Sequence, residues 1–230
     1  MSKILIATIK EWNIENCRKL WERFPDHEIK MITDRRELTY DLTESYHPDF
    51  IFFPHWSWII PEDIYSNFNC VVFHMTDLPF GRGGSPLQNL LVRGIYHTMI
   101  SAIKVDSGVD TGAVYLKEPL DISAGSAGEI LKRVSDIVFE HMIPRFLTER
   151  IKPVEQKGRP TVFKRRKPEQ SELPAGLSQR QIYDYIRMLD GEGYPTAYKI
   201  VKGEKIYFTK ARFENGVTYA EARFQEGEFV

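Results

Sequence analysis

Residues 69–85 read NCVVFHMTDLPFGRGGS, and this stretch decides the fold. It begins with an apolar run, residues 70–73, whose length and β-branched residues are typical of a buried strand. His74 follows that run at once, and a loop with glycines at positions 81, 83 and 84 comes next. Residues at the carboxyl ends of strands line the ligand crevice of open α/β sheets. The stretch therefore predicts such a sheet, with His74 at its ligand-binding edge.

Segments upstream predict the rest of the sheet. Residues 3–8, 28–32 and 50–53 read as short strands, and the first and last of them are almost wholly apolar. Apolar residues recur at helical spacing over residues 14–24, with Asn13 in the position of a helix N-cap. Continuous apolar strands that alternate with helices indicate a sheet covered on both faces. The predicted fold class is α/β, with a mostly parallel sheet.

Later segments supply capping and turn signals. A serine followed three residues later by glutamine or glutamate is the spacing of a helix capping box. This spacing occurs in Ser85 with Gln88, Ser126 with Glu129, and Ser178 with Gln181. Residues 98–105 and 113–120 read as a strand pair joined by the loop 106–112, DSGVDTG.

The character of the chain changes near residue 150. Residues 151–174 are polar, contain four prolines and carry the basic run KRRK at 164–167. An amphipathic helix over residues 182–189 and short antiparallel strands after residue 198 follow. We predict a catalytic domain at residues 1–150, then a linker and a small C-terminal α+β domain at residues 151–230.

Composition limits the classes of partner. The 230 residues carry 31 Lys and Arg against 32 Asp and Glu, a formal net charge of −1, which predicts no nucleic-acid partner. No run approaches the roughly 20 apolar residues of a membrane span, so no membrane partner is expected. Cys17 and Cys70 fit a helix face and a strand, which predicts buried thiols in the cytoplasm rather than a disulfide or a metal site.

Three features point to chemistry when they are taken together, although each has an ordinary structural explanation. His74 alone is more often a structural histidine. The glycine-rich loop 78–84 alone is a turn, and GVDTG at residues 108–112 alone is a hairpin loop. Their order and spacing along one chain carry the information.

That order resembles the folate-dependent formyltransferases over about residues 1–150. The matching positions are His74, Leu78-Pro79, Arg82-Gly83, Pro86 and Asp110-Thr111-Gly112. The resemblance implies a Rossmann-like catalytic domain, N10-formyl-tetrahydrofolate as cosubstrate, and His74 and Asp110 as catalytic residues. A donor imidazole stabilises the formyl oxygen while an amine attacks, and a carboxylate beside it orients the imidazole and helps to remove the amine proton.

One position departs from the family pattern. The family has an asparagine two residues before the histidine, where this chain has Val72. Loss of such an oxyanion donor costs about a hundredfold or more in rate. We name Asn89 as a candidate replacement, with Gln88 and Thr76 as alternatives. Gln88 also fits a capping role, Asn89 an exposed position, and Thr76 a loop hydroxyl bonded to nearby backbone.

The resemblance also implies two groups of binding residues. The folate is expected on Trp56, Ser57, Trp58, Ile59 and Ile60, together with Val109 and Asp110. The alternative for each tryptophan is a place in the core. The acceptor substrate is expected on Lys10, Thr76, Pro79, Gly81, Arg82, Gly83, Gly84 and Ser85.

The C-terminal part predicts the acceptor. Residues 163–171 and 190–198 resemble segments of sugar N-formyltransferases, which implies a UDP- or dTDP-linked deoxyamino sugar on a route to surface glycans. The basic run 164–167 then contacts the diphosphate, or it is simply solvated. The alternatives are a formyltransferase acting on methionyl-tRNA or another amine, and a binding module without activity. A homodimer through the C-terminal strands is left open.

Overall fold

The computed structural model describes residues 1–224. Its helices are α1 (Glu11–Arg23), α2 (Tyr40–Tyr46), α3 (Glu62–Tyr65), α4 (Pro86–Val92), α5 (Ala127–Ile137), α6 (Ile143–Thr148) and α7 (Gln179–Arg187). Its strands are β1 (Lys3–Ala7), β2 (Glu28–Ile32), β3 (Phe50–Phe53), β4 (Cys70–His74), β5 (Arg82–Gly83), β6 (His97–Lys104), β7 (Val114–Asp121), β8 (Val162–Phe163), β9 (Ala197–Val201), β10 (Glu204–Glu214) and β11 (Val217–Phe224). A five-residue π-helical segment, Val138–Met142, joins α5 to α6.

The main sheet has six strands in the order β2-β1-β3-β4-β6-β7. Strands β1 to β4 pair in parallel, and β6 pairs antiparallel with β4. The predicted α/β class with a mostly parallel sheet is therefore confirmed. The carboxyl ends of β3 and β4 lie side by side because Phe53 pairs with Val72, so the loops after these strands open at the same edge.

The central strands are buried on both faces, and alternation divides their side chains between two layers. Leu5, Ile51 and Phe53 pack in one cluster with Ile64 of α3. On the opposite face, the Phe52 ring lies edge-on to Phe146 of α6 at 5.1 Å. Each such buried side chain contributes roughly 1.5–3 kcal/mol, so these strands anchor the fold. Cys17 and Cys70 are buried free thiols, as predicted, and burial raises the pKa of both to about 12.

The first helix begins earlier than predicted. Lys10 occupies the N-cap, and Asn13, predicted as the cap, lies inside α1. The Asn13 side chain is buried and its amide donates to Thr8 Oγ1 and to the carbonyl of Pro54. The prediction was wrong because the Asn13 side chain makes a tertiary contact with the loop after β3 instead of capping the helix.

Of the three predicted capping boxes, two are present and one is not. The Ser126–Glu129 and Ser178–Gln181 pairs make both reciprocal bonds. Ser85 precedes α4 but has a left-handed backbone, φ 52°, and makes no side-chain cap. Its hydroxyl instead accepts from the backbone N–H of Arg166, so that capping prediction is wrong.

The described chain divides into two compact units. The first comprises Met1–Arg82, Thr98–Leu120 and Lys132–Val162, and the second comprises Gly83–His97, Asp121–Leu131 and the chain from Phe163 onward. The second unit holds the antiparallel sheet β11-β10-β9, on which α7 packs, and this small C-terminal part agrees with the predicted α+β character. Between residues 1 and 224, no helix is long and apolar enough to cross a membrane.

The second unit contains a buried ion pair. Arg187 and Asp184 lie on α7 with 1% and 4% of their side chains exposed, and Nε of the arginine donates to Asp184 Oδ1 at 2.8 Å. The two terminal nitrogens of Arg187 donate to the carbonyls of Gly125 and Ile122. Tyr96 donates its hydroxyl to Asp184 Oδ2 at 2.7 Å.

Candidate active site

His74 ends β4 and is held between two acceptors in the first unit. It is 8% exposed. Its Nε2 lies 2.8 Å from the carbonyl oxygen of Gly81, and its Nδ1 lies 3.5 Å from Asp110 Oδ2. Because a carbonyl can only accept, Nε2 carries a proton in this contact. The structure thus brings together the two residues that were predicted as catalytic.

The loop that carries Asp110 is tightly wound. Asp106 organises its start by accepting from the Gly108 N–H at 3.0 Å and from Thr111 Oγ1 at 2.6 Å. Asp110 itself has a left-handed backbone, φ 54°, which is uncommon for a residue with a Cβ. A Cβ on Gly112 would lie 1.7 Å from the carbonyl oxygen of Lys104, so only glycine fits there. The motif therefore folds into a tight turn with Asp110 in the left-handed region.

A cavity of about 280 Å³ opens beside this loop. Five of the predicted folate residues line it, namely Trp58, Ile59, Ile60, Val109 and Asp110. Sequence reasoning missed the other lining residues, which are Tyr65, Val72, Ile103, Lys104, Val105, Asp106, Ser107, Gly108, Thr111 and Gly112. The loop 106–112 and Val72 carried a sequence signal as motif positions, although they were not assigned to the folate, whereas Tyr65 and residues 103–105 carried none. Val72 is part of this wall, so the position that carries asparagine in the family is here an apolar contact.

The two remaining predicted folate residues do not line that cavity. Trp56 packs against Phe53 at 5.9 Å and against the Trp58 ring at 4.9 Å, which places Trp56 behind the cavity wall. Its Nε1 is buried and has no hydrogen-bond partner among the described residues. Ser57 is exposed. The two tryptophans therefore have different roles, one in the core and one on the cavity wall.

His55 begins the segment that carries these tryptophans. Its backbone is left-handed, φ 59°, and its ring lies edge-on to Trp12 at 6.0 Å. Burial, reinforced by the charge of Lys10, lowers the pKa of His55 to about 4. The ring is therefore neutral at physiological pH and acts as a packing group.

The predicted acceptor-binding residues fall into three groups, of which the first is the loop between Pro79 and Arg82 in the first unit. The N–H groups of Gly81 and Arg82 both donate to the carbonyl of Thr161, whose own N–H donates to Pro79. Thr76 is fully buried below this loop, with its hydroxyl 3.4 Å from the Gly81 carbonyl.

The second group, Gly83, Gly84 and Ser85, belongs to the second unit and contacts residues 163–166 there. A Cβ on Gly83 would lie 2.5 Å from the carbonyl oxygen of Phe163, and one on Gly84 would lie 2.7 Å from the Arg165 Cβ. These glycines therefore serve close backbone packing. The third group is Lys10 alone, whose Nζ lies 5.4 Å from the centre of the Trp12 ring.

The candidate oxyanion donors on α4 are engaged elsewhere. Asn89 Nδ2 lies 3.0–3.1 Å from the carbonyls of Gly84, Ser85 and Lys164. Its two hydrogens are thus surrounded by three backbone acceptors, which gives Asn89 a structural role. Gln88 is buried and donates to the carbonyl of Met188 at 2.9 Å, so it is neither a cap nor an available donor.

Two family models match the chain. The model described as "Formyl transferase" matches residues 22–146, and the model described as "Methionyl-tRNA formyltransferase, C-terminal domain" matches residues 168–225. A solved methionyl-tRNA formyltransferase from Clostridium thermocellum is 52% identical, covers 99% of this chain and all of its own, and superimposes with a TM-score of 0.94.

More distant relatives extend the comparison. A curated methionyl-tRNA formyltransferase from Clostridium botulinum (strain Alaska E43 / Type E3) is 27% identical over 83% of this chain, which spans 63% of the length of that relative. A sugar N-formyltransferase from Shewanella sp. FDAARGOS_354 shares 15% of its sequence, covers 91% of this chain and 97% of its own, and has a TM-score of 0.68. That likeness shows the fold alone.

The predicted acceptor and partner are wrong. The relatives at 27% and 52% identity are named methionyl-tRNA formyltransferases, which contradicts both the nucleotide-sugar acceptor and the absence of a nucleic-acid partner. The net charge misled because it averages two segments whose net charges have opposite signs. Residues 1–150 carry 16 Lys and Arg against 21 Asp and Glu, whereas residues 151–230 carry 15 against 11.

The C-terminal part misled as well, because the likeness of residues 163–171 and 190–198 to segments of sugar N-formyltransferases predicted the wrong acceptor. Residues 168–225 instead match the C-terminal model of methionyl-tRNA formyltransferases. The match of residues 22–146 covers more than half of the chain, and the predicted formyltransferase family is confirmed. The chain therefore belongs to the formyl transferase family.

Proposed function

We propose that this chain transfers the formyl group of N10-formyl-tetrahydrofolate to the α-amino group of methionyl-tRNA. The observation that carries the proposal is the His74–Asp110 pair beside the Trp58 cavity, in a chain 52% identical over its whole length to a methionyl-tRNA formyltransferase. The formyltransferase family uses N10-formyl-tetrahydrofolate, the cosubstrate predicted from the sequence.

The cavity suits a folate head group. Its volume lies near the lower end of ligand pockets, roughly 300–1,000 Å³, and its walls combine an aromatic ring with aliphatic side chains and exposed loop backbone. A flat heteroaromatic ring gains contact area on Trp58 and Ile60. These two residues and Val109 would hold the folate, which supplies a formyl carbonyl for attack by an amine.

The chemistry then rests on His74 and Asp110. The imidazole, which is oriented by the carboxylate at 3.5 Å, turns its Nε2–H from the Gly81 carbonyl to the formyl oxygen as negative charge develops there. The carboxylate accepts the amine proton, directly or through water; the bond between the formyl carbon and N10 then breaks, N10 takes up a proton, and tetrahydrofolate leaves. Val72 has no polar atom to share this task, so the histidine carries the donor role that the family divides between two side chains.

An RNA acceptor is supported by the charge of the segment after α6. Residues 150–167 contain eight Lys and Arg and one acidic residue. Lys152, Lys157 and Arg159 are exposed, and within residues 1–224 none of the three forms an ion pair. Unpaired surface cations that can displace counterions from phosphates are what a nucleic-acid substrate requires.

The test is a transfer assay with the purified chain, N10-formyl-tetrahydrofolate and methionyl-tRNA, in which formyl-methionine is released and quantified by mass. We expect turnover that falls as salt is raised from about 50 to 200 mM, because phosphate contacts weaken with ionic strength. Deacylated tRNA is the control and should remain unmodified. Absence of formyl-methionine, or formylation of an amino sugar in its place, would overturn the proposal.

A further inference from the structure

A glutamine outside the family motifs joins the two loops that frame His74. Gln156 lies in the segment after α6, which the sequence presented only as a linker. Its Nε2 donates to the carbonyls of Asp110 at 2.9 Å and Gly112 at 2.8 Å. Its Oε1 accepts from Arg82 Nε at 3.1 Å and from Arg82 Nη2 at 2.8 Å. Both amide hydrogens and both acceptor directions are used.

The segment around Gln156 is anchored on either side, so the amide is held in place. Two residues before it, Val154 exchanges both backbone hydrogen bonds with Val114 at the start of β7. Five residues after it, Thr161 bonds to Pro79, Gly81 and Arg82. Gln156 is therefore a crosslink between a fixed segment and the loop that carries Asp110, rather than a mobile surface side chain.

The hydrogen bonds of Gln156 are made at a residue with an unfavourable backbone conformation, Asp110. Asp110 is held in a left-handed conformation that costs roughly 1 kcal/mol or more for a residue with a Cβ, and such a conformation persists only when its surroundings determine it. One of the two carbonyls that Gln156 binds belongs to Asp110 itself, and the other lies two residues later, on Gly112. By binding both carbonyls with one amide, Gln156 fixes their directions and with them the direction of the Asp110 side chain.

We propose that Gln156 is the positioning residue for Asp110, and that it couples the Asp-Thr-Gly loop to the Gly-rich loop through Arg82. The proposal rests on the proposed function for its kinetic readout. Gln156 touches no reacting atom in this assignment; its effect reaches the chemistry through the carboxylate beside His74. It also gives Arg82, which the sequence assigned to the substrate, a role in holding the active-site framework.

The decisive variant is Gln156→Glu, which has nearly the same shape. The carboxylate still accepts from Arg82, and more strongly, but it cannot donate to the two carbonyls and places an oxygen against them. A misplacement of the catalytic group by about 1 Å costs on the order of a hundredfold, so we expect kcat to fall by about 10- to 100-fold. KM for both substrates should change by less than about threefold, because uniform binding is not affected. Gln156→Ala should show the same fall in kcat and the same small change in KM.

The matched control is Gln181→Glu, which makes the same chemical change on α7. Gln181 is exposed, and its Oε1 accepts from the Ser178 N–H, a bond that a glutamate makes equally well. Its kcat and melting temperature should equal those of the wild type. A loss of activity in this control would assign the Gln156→Glu effect to added charge and overturn the proposal.

A double-mutant cycle separates positioning from general support of the fold. If Gln156 acts through Asp110, then Gln156→Glu should lower kcat no further in an Asp110→Asn background, where the carboxylate is already absent. Full additivity of the two losses would show that Gln156 acts elsewhere and would overturn the inference. A wild-type kcat in Gln156→Glu, or a change confined to KM, would do the same.

A readout without turnover keeps this inference separate from the proposed function. Crystal structures of the wild type and of Gln156→Glu should show Asp110 leaving the left-handed region and the Nδ1–Oδ2 separation from His74 increasing. If the wild type does not formylate methionyl-tRNA, the proposed function fails and the structural comparison alone decides the role of Gln156. An unchanged Asp110 backbone in the variant would overturn that role.

Discussion

Each unit contains one pair of a carboxylate with a basic side chain, and the two pairs differ in separation and in burial. Asp184 and Arg187 approach to 2.8 Å with 4% and 1% of their side chains exposed. Asp110 and His74 are 3.5 Å apart with 17% and 10% exposed, and Asp110 lies on the wall of a cavity. The sequence spacing of neither pair reveals this difference.

The hydrogen bonds of the Asp184–Arg187 pair are complete. Each nitrogen group of the Arg187 guanidinium donates to a carboxylate or carbonyl, and both oxygens of Asp184 accept. A network of this kind cannot rearrange without leaving a buried charge unpaired, so its role is structural. The 3.5 Å separation in the other pair exceeds an ordinary hydrogen bond, so a shift of the imidazole toward a substrate breaks the Nε2 contact with the Gly81 carbonyl but no short contact with the carboxylate. The contrast assigns stability to one pair and chemistry to the other.

The largest effect is expected when the catalytic groups of the His74–Asp110 pair are removed and the fold is left intact. His74→Ala and Asp110→Asn should each lower kcat for methionyl-tRNA formylation by about 10²- to 10⁴-fold, the usual contribution of a positioned proton-transfer or donor group. Their melting temperatures should stay within a few degrees of the wild type because neither pair member anchors the core. Initial rates and thermal unfolding of the same preparations give both quantities.

Either of two results would contradict this assignment. Asp110→Asn with near-normal kcat would mean that the carboxylate does not act in the reaction. A large fall in melting temperature for His74→Ala would mean that the histidine is structural, like Arg187.

A substitution in the Asp184–Arg187 pair should lower the stability of the fold and leave the activity unchanged. Arg187→Leu leaves Asp184 as a buried charge without its main partner, and disruption of a buried ion pair in this way costs about 3–5 kcal/mol. We expect this loss in the free energy of unfolding from urea titration, and a wild-type kcat for the fraction that remains folded.

The control is Arg145→Leu, which removes two ion pairs near the surface, with Glu149 one helical turn away and with Glu118. Solvent screens both pairs, so the loss of stability should be far smaller than for Arg187→Leu. Equal losses in the free energy of unfolding for Arg145→Leu and Arg187→Leu would show that burial and complete hydrogen bonding do not determine how much the Asp184–Arg187 pair contributes to stability.

Local patterns predicted the parts of the molecule that local forces determine. The apolar runs over residues 50–53 and 70–73 became adjacent parallel strands, since burial on both faces requires that pattern. His74 followed as a residue at a strand end, and Asp110 as part of a recognisable loop. Their approach to 3.5 Å agrees with the order of motifs in the family.

Long-range pairings were not predictable, because nothing within a few residues signals them. Gln156 meets Asp110 across 46 positions, and Arg187 meets Ile122 across 65. Asn13 was misplaced for the same reason, since its amide is used by Pro54. The acceptor was wrong because the charge was summed over the whole chain, whereas a phosphate backbone responds to the local surface charge.

His55 is a third basic side chain, and it tests the smallest effect. It is packed in the first unit, and within residues 1–224 it forms no ion pair with a carboxylate. Its pKa of about 4 is below the ordinary value of 6.5, so the unfolded chain binds a proton first as the pH falls. Its contribution to stability is complete above pH 6.5 and is lost between pH 6.5 and 4, by on the order of 3 kcal/mol. His55→Asn tolerates the left-handed backbone and does not titrate. Urea unfolding at pH 7 and 4.5 should therefore show a smaller loss of stability in this variant than in the wild type, and equal losses would mean that the His55 ring is charged in the folded chain.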